Sequence, residues 1–130
     1  TTHIPTGKKY VGKKSLIYNI KRKLGKKELA LHEGKGRPPK FKIIQKESDW
    51  KTYYGSHKFI KDEIKKGNQS DFKRVILQYA YSKKELTYLE NKVLFTLAVL
   101  ENEDYLNDNI EGRYFKKDFD FSSSFCTFRV

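Results

Sequence analysis

The stretch SKKELTYLENKVLFTLAVL, residues 82–100, decides the fold. Leu86, Leu89, Val93, Leu97 and Leu100 recur at spacings of three and four, and Leu94 and Ala98 widen the stripe. A stripe of that period is the apolar face of a helix resting on a core. Ser82-Lys83-Lys84-Glu85 fits the capping box, in which Ser82 accepts from the N3 amide and Glu85 reaches back to the N-cap amide. The period predicts a helix that ends near Glu101 to Glu103.

Upstream, Phe72, Val75, Ile76, Leu77, Tyr79 and Tyr81 are aromatic or aliphatic, and the run predicts a buried strand. Ser56 is positioned to cap a helix through Lys66, with Phe59, Ile60 and Ile64 on its apolar face and Gly67 as the residue after its end. Ser48-Asp49-Trp50 reads as the start of a short helix closed by Gly55. Phe41 to Ile44 reads as a short strand. Ser15 to Leu24 fits either a helix face (Leu16, Ile17, Ile20, Leu24) or strand alternation (Leu16, Tyr18, Ile20). Gly25 to Pro39, with three glycines and the pair Pro38-Pro39, reads as a mobile basic loop, and Lys9 to Gly12 as a short strand. Asp104 to Gly112 is rich in Asn and Asp and reads as irregular. From Phe115 on, aromatics alternate with Lys, Asp and Ser.

The chain has 130 residues, enough for one domain and short for two. Its nine Tyr and nine Phe can fill a core, which excludes wholesale disorder. No run of about 18 apolar residues exists, so no membrane-spanning helix is expected. The single Cys126 excludes an internal disulfide and a multi-Cys zinc site, and His3, His32 and His57 are too scattered for a histidine zinc site. The net charge of +12 is uneven. Residues 1–46 hold fourteen Lys/Arg against Glu28 and Glu33, whereas residues 47–130 hold fourteen cations and fourteen carboxylates. The first third therefore supplies the whole excess, a field that attracts nucleic acid. Its basic residues are interleaved with Tyr10, Leu16, Ile17, Tyr18, Ile20, Phe41, Ile43 and Ile44, which a solubilising tail would not need.

Gly-rich phosphate loops, nucleophile elbows and paired Cys or His ligands are absent from the sequence. What remains is a set of tyrosines, cations and one carboxylate, Glu90, bordering the apolar stripe. A lone carboxylate suits Mg²⁺, which keeps most of its waters and takes further ligands from phosphate.

Lys8-Lys9-Tyr10-Val11-Gly12-Lys13-Lys14 resembles the second half of the GIY-YIG nuclease signature. Glu47-Ser48-Asp49-Trp50-Lys51-Thr52-Tyr53-Tyr54-Gly55-Ser56 is similar to the free-standing phage homing endonucleases of the Seg group. Asp71 to Leu77, Leu86 to Glu90 and Asp104 to Asn107 follow in matching order, so the resemblance spans residues 7–112. It implies an α+β fold, a small three-stranded antiparallel sheet flanked by helices, over residues 1–114, with residues 115–130 as a tail. It implies a metal-dependent DNA endonuclease of the phage homing type, working in the cytoplasm of an infected bacterium with Mg²⁺ or Mn²⁺ and no small-molecule cofactor. Tyr10 would activate or orient the attacking water, Gly12 would allow a tight turn, and Glu90 would hold the metal. Asn107 matches a polar residue after the helix. Arg22 is the nearest match to the phosphorane-stabilising arginine, with Lys13, Lys14 or Arg37 as substitutes. His57, Tyr53 and Tyr54 are candidates for the general base, His57 first among them. Lys13, Lys14, Lys21, Lys23, Arg37, Lys40, Trp50, Tyr53 and Tyr54 are the candidate DNA contacts.

The family's Gly-Ile-Tyr element should precede Tyr10 on the first strand. Nine residues precede Tyr10 and none is a tyrosine. The strand and its tyrosine are therefore expected to be missing, by truncation or by natural loss of catalysis on a retained scaffold. A catalytically inactive DNA-binding module and a small phage protein-interaction domain are the alternative functions.

Overall fold

The computed structural model describes residues 1–34 and 36–120. Cys126, the serines at 122–124 and the rest of the aromatic tail beyond Asp120 lie outside the described residues. The described chain is α+β and forms two units: residues 1–13 together with those from Tyr54 on, and an inserted unit, Lys14–Tyr53.

In the first unit, β1 (Thr2–His3) pairs antiparallel with β4 (Phe72–Lys73), Thr2 opposite Lys73 and His3 opposite Phe72. Lys9 bridges Thr2 on one side and Tyr105 on the other. The main chain of Lys9 accepts from Leu106 N–H and donates to the Asp104 carbonyl, each at 2.7 Å. A two-residue strand, β1, thus precedes Tyr10, and it carries no tyrosine. The expected three-stranded sheet is corrected: among the described residues each ladder has two strands. The physical reason lies in what the neighbouring backbone bonds instead. Lys9 contributes single bridges, and the Val11 main chain is taken by the Asn107 side chain.

Helix α2 spans Lys58–Lys65, and its N-cap is His57, whose ring accepts from Phe59 N–H. Ser56, expected as the cap, instead shares a hydrogen bond with the Tyr10 hydroxyl. Gly67 follows the helix at φ +87°, the left-handed conformation that glycine supplies cheaply. Ile60 is buried, and His3, Phe59, Phe72 and Tyr54 form a chain of ring contacts.

The run after β4 departs from expectation. Val75 to Ala80 form no ladder and make no hydrogen bond with other described residues. Leu77 is 66% exposed and Tyr81 96%. β-propensity favours a strand here, but a strand needs a partner to bury it, and none of the described residues provides one.

Helix α3, Lys83–Thr96, starts as expected. Ser82 Oγ accepts from Glu85 N–H at 3.1 Å, while Glu85 accepts from Tyr81 N–H, one residue before the cap. The helix stops earlier than its apolar period. Ala98 N–H donates to the Phe95 carbonyl and Val99 N–H to the Leu94 carbonyl, a Schellman closure with Ala98 left-handed at φ +46°. The turn folds Val99 and Leu100 back onto Leu94 and Ile110, and these four form the core, with Val11 and Tyr105 packed against it. Leu97 and Leu100 keep the helical period although the helix has ended. Strands β5 (Asn109–Ile110) and β6 (Tyr114–Phe115) close a hairpin through Glu111 and Gly112, both at positive φ, and β6 runs across position 114.

In the inserted unit, β2 (Ile17–Lys23) and β3 (Phe41–Glu47) pair over seven residues in antiparallel register, from Ile17 opposite Glu47 to Lys23 opposite Phe41. Strand alternation therefore wins at residues 15–24. The expected loop contains a short helix, α1 (Lys26–Ala30). The expected helix at Ser48 is a turn: Ser48 Oγ accepts from Trp50 N–H and donates to the Ser15 carbonyl, so the serine ties off the ribbon.

Candidate active site

Tyr10 sits in a cradle made by two glycines of the first unit. A Cβ on Gly12 would stand 2.7 Å from Tyr10 Cε1. A Cβ on Gly55 would stand 2.8 Å from Tyr10 Cδ1 and 3.0 Å from Ile60 Cδ1. Real Cβ contacts essentially never fall below 3.0 Å, so the half-buried Tyr10 ring lies where a side chain at either glycine would force it to shift. The Tyr10 hydroxyl lies 2.6 Å from Ser56 Oγ. Its main chain is paired with Thr1: Tyr10 N–H donates to the Thr1 carbonyl, and the Thr1 ammonium donates to the Tyr10 carbonyl at 2.9 Å. Burial, and secondarily the charge of Arg74, lowers the Thr1 ammonium below its usual 8.0.

The next residues are fixed as firmly. Asn107 is buried, accepting from Val11 N–H at 3.0 Å and donating to the Val11 carbonyl at 2.7 Å. It is a clamp on the backbone of the Tyr-Val-Gly element. Lys13, three residues beyond Tyr10, reaches α3, where its Nζ lies 3.0 Å from Glu90 Oε2 and 2.9 Å from Thr87 Oγ1. Thr87 and Glu90 are three apart on the helix and so share a face. Thr87 also donates to the Lys83 carbonyl. The tyrosine element and the helix carboxylate are thus joined by one lysine.

His57 is occupied at both ring nitrogens. Nδ1 accepts from Phe59 N–H at 3.2 Å, and Nε2 lies 3.0 Å from Asp108 Oδ2. The donated amide requires an unprotonated Nδ1, which places the ring proton on Nε2 toward Asp108. A base role would require one of these bonds to open. Tyr54 is likewise committed: its carbonyl accepts from Thr1 Oγ1, its hydroxyl accepts from Gln69, and the Arg74 guanidinium lies 4.3 Å from its ring centre.

The other candidates belong to the inserted unit. Arg22 Nη2 lies 2.5 Å from Glu28 Oε1, and Lys42 Nζ 2.6 Å from the same oxygen. Lys42, the Gly25 amide and Arg22, in that order, hold Glu28 down at about 2. Lys14 pairs with Asp49 and lies 4.3 Å from the Tyr53 ring centre. Trp50 Nε1 donates to Glu47. Lys21 and Lys23 stand exposed on β2, and Arg37 and Lys40 are exposed between α1 and β3.

Among the described residues no three His, Cys, Asp or Glu side chains gather as a metal cluster. Glu90, with a side chain 20% exposed, fits only a cation that keeps most of its own water, and Lys13 now neutralises it. Gly55 and Ser56 against Tyr10, and Thr87 against Lys13, are candidate site residues that sequence reasoning does not reach. The only signal for them is the proximity of Gly55-Ser56 to the tyrosine pair, which local rules read as the end of a helix.

The geometry joins a cradled tyrosine in a Tyr-Val-Gly element, through Lys13, to a helix glutamate. Residues 1–110 match the family described as "Putative endonuclease segE, GIY-YIG domain", and the chain belongs to that family. No curated protein and no solved structure matches the chain.

Proposed function

We propose that this protein is a DNA endonuclease that hydrolyses a phosphodiester with Tyr10, Lys13 and Glu90 at the reacting centre. The observation that carries this reading is the Lys13 link between the Tyr10 element and Glu90. Tyr10 Oη, braced by Ser56, holds the attacking water by a hydrogen bond. The water oxygen bonds to phosphorus, its proton passes to solvent, and the leaving sugar oxygen takes a proton from solvent as its bond to phosphorus breaks. Lys13 places a cation beside the phosphate, where it offsets charge developing on the phosphorane oxygens. It takes the role that the family resemblance matches to Arg22, whose guanidinium is engaged with Glu28. Glu90 would hold the Mg²⁺, with Thr87 alongside it. When bound, that ion stabilises negative charge on the leaving oxygen. The basic inserted unit supplies affinity for the polyanion, and its lysine–phosphate contacts make binding fall with salt.

A second reading, a binding module without catalysis, is favoured by the ion pair itself, because Lys13 competes with any metal for Glu90. One plasmid-cleavage assay over a Mg²⁺ series separates the two. Nicking or linearisation by the parent, abolished in Glu90→Gln with DNA affinity retained, supports the enzyme. Binding without cleavage at any Mg²⁺ or Mn²⁺ concentration supports the module.

A further inference from the structure

The β2–β3 ribbon has two unlike faces. One carries Tyr18, Ile20, Arg22, Ile44, Lys46 and Lys42, and Glu28 from α1 binds both Arg22 and Lys42 there. The register places Asn19 directly opposite Gln45 on the other face, with Lys21 opposite Ile43, Lys23 opposite Phe41 and, at the far end, Ile17 opposite Glu47, whose carboxylate is bound by Trp50 and Lys51. All eight of these residues are exposed, Ile43 at 67%. Asn19, Lys21, Lys23 and Gln45 make no side-chain hydrogen bond or ion pair with a described residue. Free-standing two-stranded ribbons are marginal in water, and one with apolar residues bare on a face calls for a partner.

We infer that this face enters the major groove of double-stranded DNA and reads base edges there. The inference rests on the reading of the protein as DNA-binding and adds sequence readout by the inserted unit. The inserted unit holds twelve Lys/Arg against four carboxylates, which makes its charge complementary to DNA. Two paired strands lie about 5 Å apart, and the major groove, about 12 Å wide, admits such a ribbon. Side chains two residues apart on a strand are about 6.8 Å apart, close to two base-pair rises. Asn19, Lys21 and Lys23 would then address a base pair every second step. The residue types suit base readout, because Asn and Gln pair with adenine N6 and N7, Lys with guanine O6 and N7, and the apolar Ile43 and Phe41 meet thymine methyl groups. The deep, narrow major groove of duplex RNA would not admit the ribbon.

The experiment selects bound duplexes from a random library with the whole 130-residue chain in EDTA, so that cleavage cannot interfere. The expected result is an enriched motif of about four to six base pairs, in keeping with a seven-residue ribbon. Asn19→Ala with Gln45→Ala should flatten one or two positions of it and lower discrimination about tenfold to hundredfold. The salt slope should stay unchanged, because no charge is altered. Gln45→Glu should move the preference at its position from adenine toward cytosine, since a carboxylate only accepts. Replacing purines of the motif by 7-deazapurines should weaken binding, whereas a minor-groove drug should not compete. Absence of a motif, a motif unchanged by the double variant, equal affinity for duplex RNA, or competition by the minor-groove drug would overturn the inference. Binding without a motif would sink this inference alone, while failure to bind any DNA would sink the DNA-binding reading with it.

Discussion

Gly55→Ala tests how Tyr10 is held. The new methyl meets two penalties. The backbone at Gly55 has φ +148°, a region nearly closed to residues with a Cβ, and forcing such a residue there costs about 1–3 kcal/mol. The methyl would also stand 2.8 Å and 2.9 Å from two atoms of the Tyr10 ring and 3.0 Å from Ile60 Cδ1. Overpacking of that kind costs about 1–3 kcal/mol. Together the loss should be about 2–6 kcal/mol, a large share of the stability of a small domain. Gly67→Ala is the control. Its φ of +87° carries the backbone penalty, but nothing lies within 4 Å of the added methyl. Urea unfolding of both variants should place Gly55→Ala below Gly67→Ala by about the packing contribution, 1–3 kcal/mol. Adding Tyr10→Ala should recover part of the Gly55→Ala loss, so the double variant is less destabilised than the sum of the singles. Equal losses for the two glycines, or strict additivity with Tyr10→Ala, would refute the cradle.

Three further outcomes rest on particular residues. Ala98 is left-handed at φ +46°, and Ala98→Gly should raise the urea midpoint, with a gain of about 1 kcal/mol after the extra freedom of the unfolded chain is offset; a lower midpoint would contradict the Schellman closure. Ile76 is exposed, so Ile76→Lys should shift thermal stability by no more than about 0.5 kcal/mol; a loss of several kcal/mol would restore the buried strand read from the sequence. Glu28 should titrate near 2 by carboxyl NMR instead of its ordinary 4.5. Because its folded value is depressed, its contribution to stability is complete above about 4.5 and is lost as pH falls through about 2; an unshifted midpoint would mean that Lys42, Gly25 and Arg22 do not hold it.

Local chemistry makes several elements legible in advance. The cap at Ser82, the apolar period of α3, the glycine after α2 and the β-branched ribbon strand at Phe41 all act within a few residues, so their pattern is written in adjacent positions. The family is legible for the same reason, since Tyr10-Val11-Gly12 and Glu90 sit in short motifs. The charge excess of residues 1–46 requires only counting.

Tertiary structure decided the rest, because those outcomes depend on which distant residue meets which. Propensity marks Val75 to Tyr81 for burial, but burial needs a partner strand, which no local rule supplies. The period of Leu97 and Leu100 outlasts α3, because Val99 and Leu100 reach the core through a chain reversal that preserves the spacing while ending the helix. Ser56 is the cap that the local sequence suggests, but its long-range bond to Tyr10 leaves the cap to His57. Glu90 can be named from its motif, but its pairing with the distant Lys13 exists only once the Tyr10 element is packed against α3. The sequence determined which groups were available for chemistry. Only the fold joined Lys13 to Glu90 and Tyr10 to Ser56 and left Arg22 bound to Glu28, because contacts across long chain separations are set by packing, not by local pattern.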